Sequence, residues 1–124
     1  MPVVHVREQD EQPIKDLLGH LGNVDLSLVR SHTDRGDVID LTYVDQNARN
    51  ELQSGFMHPI AVDDVEPVVD ADAFVCVPIT DYEVPATTLA YLRAHGHGTI
   101  LLDAHGPTVS LTPGGAGEAA VDRP

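Results

Sequence analysis

This chain of 124 residues has no tryptophan, one cysteine and one lysine. The single cysteine, Cys76, excludes a disulfide framework within one chain. Its place in the apolar run AFVCVPI favours a small buried hydrophobe over a nucleophile, because a reactive thiolate needs an exposed, electropositive setting. The chain does not open on a basic segment followed by an apolar stretch, and its uncharged apolar runs are too short to cross a bilayer. We therefore expect a soluble, cytoplasmic protein.

Positive charge is also scarce. Lys15 is the only lysine, and the seven lysines and arginines face 20 acidic residues, for a formal charge of -13. Such a balance repels nucleic acid and anionic membranes, so we expect neither as a partner. At 42% hydrophobic residues, the chain has enough apolar material for one core, and one domain over residues 1–124 is expected.

The first third of the chain predicts a strand followed by a helix. Residues 3–6 form a short β-branched run, and an apolar face of helical spacing comes next. Asp10 is a candidate N-cap, Pro13 would lie in the first turn, and Gly22 stands where the helix would stop. The predicted apolar face consists of Ile14, Leu17, Leu18 and Leu21.

Period-two patterning then indicates a hairpin. Ile39, Leu41 and Tyr43 fall on one side of a predicted strand, and polar residues fall on the other, solvated side. A polar turn, DQNARN, precedes a second short strand around residues 51–53. The hairpin region is expected at about residues 28–55.

The second half predicts a parallel strand–helix–strand crossover. Residues 73–79 are nearly all apolar, as in a strand buried on both faces, and GTILLD supplies another such strand. Pro85 opens a helix that runs to about His95 and stops at Gly96. The fold class is therefore α/β, with an inserted hairpin and an irregular tail at residues 112–124. The helix residues expected to face the core are Ala86, Leu89, Ala90 and Leu92.

Polar residues follow both strands of this crossover. Asp103 and His105 come directly after the second strand, and ligands of open α/β sheets gather at the carboxyl ends of strands. The structural alternative is that Asp103 bonds loop amides while residues 106–107 turn the chain. Thr80, Asp81 and Glu83 follow the first strand and could hydrogen-bond sugar hydroxyls, or could instead cap the next helix.

Two further patterns carry weaker hypotheses. His95 and His97, with Asp103 and His105 nearby in sequence, suggest a metal-dependent hydrolase, although no strong zinc motif is present. His95 is also suited to interact with the helix dipole at a C-terminus. The glycine-rich run at residues 114–118 is similar to a phosphate-cradling loop, but a tail or turn is the preferred interpretation because no strand leads into it.

The order of these elements resembles the middle portion of the PfkB, or ribokinase-like, family of carbohydrate kinases. Four short motifs carry the resemblance, and it covers the chain from about Val3 to Thr112. They are Asn23-Val24-Asp25, Ser54-Gly55, ADAFVCVPIT and LLDAHGP, in that order.

The resemblance implies a partial ribokinase-like sheet and an ATP-dependent sugar or nucleoside kinase ancestry. ATP and Mg²⁺ would be its cofactors, and the hairpin would be a lid that covers the sugar and pairs two subunits in a homo-oligomer. The family's early diglycine segment and its late GxGD segment are missing, and Glu118 stands where GxGD has its catalytic Asp, so no catalytic residue is assigned. The substrate-binding residues implied are Gly55, Thr80, Asp81, Asp103 and His105.

A segment of this kind would be inactive as a separate chain unless another chain completes it. The alternative is a noncatalytic binding or dimerisation module, in which Asp81 and Asp103 hold a small polyol or nothing. A truncated sheet also leaves an apolar face uncovered, and such faces associate. The residues expected on that face are Val75, Val77, Ile100 and Leu102.

Overall fold

A computed structural model describes residues 1–33, 36–46 and 49–108. The chain begins with a strand–helix–strand unit: β1 (Val4–Arg7), α1 (Glu8–Leu18) and β2 (Val29–His32). The two strands are parallel, with Val4 opposite Val29. This arrangement confirms the strand and the helix expected in the first third of the chain.

The ends and the burial of α1 differ from the prediction. Arg7, not Asp10, is the N-cap, and Asp10 instead pairs with the Arg7 guanidinium from the first turn. Pro13 lies inside the helix, and the helix ends at Gly19, before the predicted stop at Gly22. Leu17 is 68% exposed, so the expected apolar face is not buried among the described residues. Apolar spacing predicted the helix, but burial also requires a neighbouring element to cover that face.

The hairpin forms as the alternation predicts. Strands β3 (Val38–Tyr43) and β4 (Arg49–Gly55) are antiparallel, with Leu41 opposite Glu51. The hairpin proper begins at Val38, because residues 29–32 pair in parallel with β1. Its apolar side is open towards the turn, since Leu41 and Tyr43 are 47% and 67% exposed, whereas Ile39 is half-buried.

A short helical segment links the hairpin to the second half of the chain. It comprises α2 (Val62–Val65) and a 3₁₀ turn at Glu66–Val68. The sequence did not predict either piece, because a four-residue helix is shorter than one full repeat of an amphipathic pattern. Val65 in α2 is one of the buried apolar residues.

The second half is the predicted parallel crossover: β5 (Ala73–Cys76), α3 (Ala86–His95) and β6 (Thr99–Leu102). Pro85 and Gly96 are the caps of α3, as the sequence indicates. On α3 the buried residues are Thr88 and Leu92, whereas Ala86 and Ala90 are exposed, which corrects the predicted core face.

The strands β5 and β6 are not buried on both faces. Val75 is 70% exposed, Val77 is 67% exposed and Leu102 is 39% exposed, while Ile100 is half-buried. These values correct the expectation of doubly buried strands. An apolar face is left uncovered, but it consists of Val75, Val77 and Leu101, which is 55% exposed. Val75 pairs with Leu101, so Ile100 and Leu102 lie on the opposite face and, contrary to the expectation, do not belong to it. The buried apolar residues of the described chain are Val6, Val29, Met57, Val65 and Leu92.

The fold is of mixed α/β character. In the described residues the strands form three two-stranded sheets, β1–β2, β3–β4 and β5–β6, so the two parallel pairs are not joined into one sheet. A one-turn helix, α4 (His105–Thr108), closes the described part. Within that part, no helix has the length and apolar character to cross a membrane. The glycine-rich run at 114–118 and the expected tail lie outside the described residues.

Candidate functional site

The carboxyl ends of β5 and β6 lie side by side because the two strands are parallel. Asp103 continues the ladder beyond β6, with its N–H donating to the Cys76 carbonyl at 2.9 Å. Gly106 then packs against Pro78 so closely that a Cβ at this glycine would lie 2.5 Å from the Pro78 carbonyl oxygen. The chain after β6 therefore stays beside the chain after β5, and the predicted polar residues of both loops share one edge.

Thr80 and Glu83 build the loop after β5. Thr80 is 1% exposed, and its hydroxyl accepts the Tyr82 N–H at 3.3 Å. The Glu83 carboxylate accepts the Ile79 N–H at 2.6 Å. The expected alternative, capping of the following helix, is wrong, because α3 has Pro85 as its N-cap and receives no side-chain cap. Asp81 is half-buried in the same loop.

Asp103 and His105 form the exposed side of this edge. The Asp103 carboxylate accepts the His105 N–H at 2.9 Å, which is the loop-amide bond foreseen as the structural alternative. A carboxylate has several lone pairs, so this one bond leaves Asp103 able to accept hydroxyl protons from a ligand.

The base of the hairpin meets the loop after β5. Gly55 ends β4, and a Cβ there would lie 2.6 Å from the Gly36 carbonyl oxygen, so the close approach requires glycine. The next residue, Phe56, lies edge-on to Tyr82, with ring centroids 5.2 Å apart. The hairpin is thereby anchored beside Thr80 and Asp81. Four of the five predicted substrate residues lie on the β5–β6 edge. The fifth, Gly55, directly precedes Phe56, which contacts the loop after β5 through Tyr82.

Two carboxylates lie near this anchor. Asp37 accepts the Gln53 side-chain amide at 3.0 Å and the Met57 N–H at 2.9 Å. Burial raises the pKa of Glu83, the nearby charge of Asp37 raises it further, and the N–H of Ile79 acts in the opposite direction. The hairpin base therefore carries concentrated negative charge.

A second polar cluster brings together residues that are distant in the sequence. The rings of His32 and His58 stack with centroids 4.3 Å apart, and His5 lies 4.6 Å from His32. The His5 Nδ1 is 3.2 Å from the His58 carbonyl oxygen. This cluster was not predicted, since no local spacing in the sequence connects histidines that come from β1, β2 and the segment after β4.

Asp64 in α2 is the acidic centre of this cluster. Its carboxylate contacts Arg30, lies 3.0 Å from the His5 Nε2, and accepts the Ala61 N–H at 2.8 Å. Burial is the largest single influence and acts to raise the pKa of Asp64, but the hydrogen bonds and positive charges together hold it below its ordinary value. Asp64 thus ties α2 to both strands of the first parallel pair.

The predicted metal-ligating histidines point to other neighbours. The His95 ring packs against Tyr91 with centroids 4.5 Å apart, and the His97 Nε2 is 4.0 Å from an Asp70 carboxylate oxygen. Across residues 1–33, 36–46 and 49–108, no group of three or more His, Cys, Asp or Glu side chains is arranged to hold a metal ion. These residues accordingly offer no fit for the Mg²⁺ that the family resemblance implies.

Burial raises the pKa of the Cys76 thiol, which keeps it protonated and agrees with an inert, half-buried cysteine.

Comparisons of the chain with protein-family models, with curated proteins and with solved structures gave no match. Function therefore has to be argued from the site itself.

Proposed function

We propose that this chain forms part of the sugar-binding side of a PfkB-type carbohydrate kinase and does not transfer phosphate by itself. The observation that carries the proposal is the contact between the hairpin base and the carboxyl-end loop of a parallel crossover, made by Phe56 and Tyr82. A hairpin held in that place can cover a ligand lying on Asp81 and Asp103, which is the role that the resemblance implies for a lid.

The polar groups at this edge suit a polyol. Carboxylates and carbonyls accept hydrogen bonds from vicinal hydroxyls, and this edge carries Asp81 and the buried Thr80 in the loop after β5 and Asp103 after β6. A phosphate donor fits this surface poorly, because the chain has a formal charge of -13 and phosphoryl transfer requires cationic groups around the phosphates. We therefore assign sugar contact, and not nucleotide binding, to these residues.

Titration calorimetry with a panel of pentoses, hexoses and nucleosides tests the proposal. At least one sugar is expected to bind, and Asp103→Asn is expected to weaken that binding about tenfold, because a charged acceptor is lost while the His105 N–H keeps an oxygen partner. Asp72→Asn is the matched control, since Asp72 precedes β5 at the opposite end of the strand pair. Equal loss in both variants, or no heat from any sugar, would contradict the proposal.

A noncatalytic association module is a second candidate, favoured by the open apolar side of the hairpin. Tyr43 and Val44 are 67% and 66% exposed, and Leu41 beside them is 47% exposed. Exposed apolar patches of this kind mark contact surfaces. Two copies meeting through their hairpins would bury these side chains.

Sedimentation of the full chain tests this second candidate. The wild type is expected to form a homo-oligomer, and Tyr43→Ser is expected to shift it towards monomer, whereas Thr42→Ser on the same strand is expected to leave it unchanged. A wild type that is monomeric at every concentration would refute the module.

A further inference from the structure

A groove of about 560 Å³ runs between β1 and β5. Each wall consists of consecutive residues, 1–5 on one side and 73–79 on the other. Successive side chains of a strand point to opposite faces, so a groove that touches every residue of a stretch lies along its backbone edge. Neither β2 nor β6 contributes to the lining. The groove therefore lies against the edge of β1 that faces away from β2 and the edge of β5 that faces away from β6.

Backbone hydrogen bonds confirm which groups face the groove. The Val4 N–H donates to the Leu28 carbonyl on the β2 side, which directs the backbone groups of Val3 and His5 to the opposite edge. In the second pair, the carbonyls of Asp72 and Cys76 accept N–H groups from the β6 side. By the same alternation, the backbone groups of Ala73, Val75 and Val77 face the groove.

Within the described residues, β1 and β5 each have one hydrogen-bonded strand neighbour. The groove is therefore walled by two rows of backbone donors and acceptors, a template for one more strand. Helical residues form a floor beneath it. The apolar side chains of this floor are Val65, Val68 and Leu92, and Thr88 lies among them with its hydroxyl bonded to the Ile60 carbonyl.

One end of the groove is acidic. Asp37 and Glu83 both line it, and Glu83 holds the Ile79 N–H where the wall of residues 73–79 ends. The other wall ends near the same place, because His5 contacts the His58 carbonyl and Ile60 donates to the Glu83 carbonyl at 2.8 Å. Both strands thus run towards the carboxylates, and an occupant of matching direction would place its carboxyl-terminal side chain there.

We propose that this groove binds an extended segment of a partner polypeptide, which adds a strand between β1 and β5 and places a lysine or arginine against Asp37 and Glu83. Alternate side chains of that segment are apolar and rest on the helical floor. The backbone edges supply the hydrogen bonds, and the two carboxylates select a positive charge. The inference does not depend on the kinase proposal, since Asp81 and Asp103, to which the sugar contact is assigned, do not line the groove.

Fluorescence anisotropy with the full chain and a labelled peptide tests the inference. The probe is a hexapeptide of alternating valine and threonine with lysine near its amidated carboxyl end. Methylating two backbone nitrogens keeps every side chain but removes two donors, and this is expected to weaken binding about tenfold or more. Equal binding of both peptides would show that the groove recognises apolar side chains alone and would overturn the proposal.

Glu83→Gln tests the charge without removing the acceptor for the Ile79 N–H. This variant is expected to bind the lysine peptide with about threefold lower affinity, as for a partly solvated ion pair. Its affinity for a peptide with norleucine at that position is expected to equal that of the wild type. Asp70→Asn is the matched control, because Asp70 is exposed and lies outside the groove, and it is expected to change neither affinity.

Two further outcomes would overturn the proposal. One is that no peptide binds at a concentration of about 1 mM, because a dissociation constant larger than that corresponds to negligible specific recognition. The other is a chain that sediments as a dimer and dissociates when the peptide is added, which would assign the groove to a second copy of this chain.

Discussion

Replacing Asp64 with asparagine removes a negative charge that joins α2 to β1 and β2. The substitution keeps the size of the side chain and an oxygen that can still accept the Ala61 N–H, which Asp64 accepts at 2.8 Å. What is lost is the charged partner of Arg30 and the acceptor 3.0 Å from His5. The change therefore isolates the electrostatic part of this contact.

The expected loss is about 2 kcal/mol of unfolding free energy at neutral pH, the range for hydrogen bonds to a charged group. Breaking a fully buried pair costs more, but the Arg30 side chain is 41% exposed, so solvent screens part of the attraction. For a chain of this length, that loss lowers the melting temperature by about 8 °C.

The stabilisation by Asp64 is expected to depend on pH, and the lowered pKa of this carboxyl fixes the direction of that dependence. Although burial opposes it, the surrounding donors and charges hold the pKa of Asp64 below 3.8 in the folded chain. Its stabilisation is therefore complete above that pH and is lost as the pH falls through the lowered pKa. Thermal melts by circular dichroism are expected to show a gap between wild type and Asp64→Asn that is present at pH 7 and narrows below about pH 4.

Asp63→Asn is the matched control, because Asp63 is the exposed neighbour of Asp64 on the same helix. It is expected to leave the melting temperature within about 1 °C of the wild type, as for most surface substitutions. Equal melting temperatures for the two variants at pH 7, or a gap between wild type and Asp64→Asn that does not narrow below about pH 4, would refute the role given to Asp64.

Three other substitutions probe the packing and the groove. Thr88→Val is expected to cost about 1–2 kcal/mol in urea unfolding, because it leaves the Ile60 carbonyl without the hydroxyl that donates to it at 2.8 Å. Leu92→Ala, at a side chain only 3% exposed, is expected to cost about 2–5 kcal/mol. Glu83→Gln is expected to be at least as stable as the wild type at pH 7, since the raised pKa of Glu83 means that its stabilising contribution is lost as the pH rises through that pKa.

Exposed positions supply the matching controls for two of these changes. Thr87→Val and Leu101→Ala alter the same chemical groups at exposed sites, and each is expected to change stability by less than about 0.5 kcal/mol. If an exposed control costs as much as its buried counterpart, the burial assigned to Thr88 or Leu92 is wrong. A melting curve of Glu83→Gln that falls below the wild type at pH 7 would contradict the charge argument for that residue.

Local signals in the sequence predicted the elements well. Pro85 and Gly96 bound α3 as expected, and the alternation at 39–43 predicted a strand of the hairpin. The ends of α1 were less predictable, because the Arg7–Asp10 ion pair replaced the expected capping by Asp10. Capping preferences indicate which residues are able to cap a helix. Whether a given residue does so depends on its ionic and tertiary partners, here the Arg7 guanidinium for Asp10.

Burial and long-range contacts could not be predicted from local patterns. An apolar run such as residues 73–79 has the composition of a doubly covered strand, but coverage depends on neighbours that the run itself does not encode. The His5–His58 contact joins residues 53 positions apart, and only the tertiary fold brings them together. For the same reason the sequence placed Thr80 and Asp103 at strand ends but did not predict the anchoring of the hairpin by Phe56 and Tyr82.

The most direct test of the proposed sugar-binding role is an amide chemical-shift titration of the full chain with the sugar and nucleoside panel. With about 10 mM ligand, a sugar that binds is expected to shift the amides of residues 80–83 and 103–105, while those at the opposite end of β5 and β6, near Asp72 and Gly98, stay in place. Shifts confined to other parts of the chain, or no shifts with any member of the panel, would contradict the assignment of this edge to a sugar.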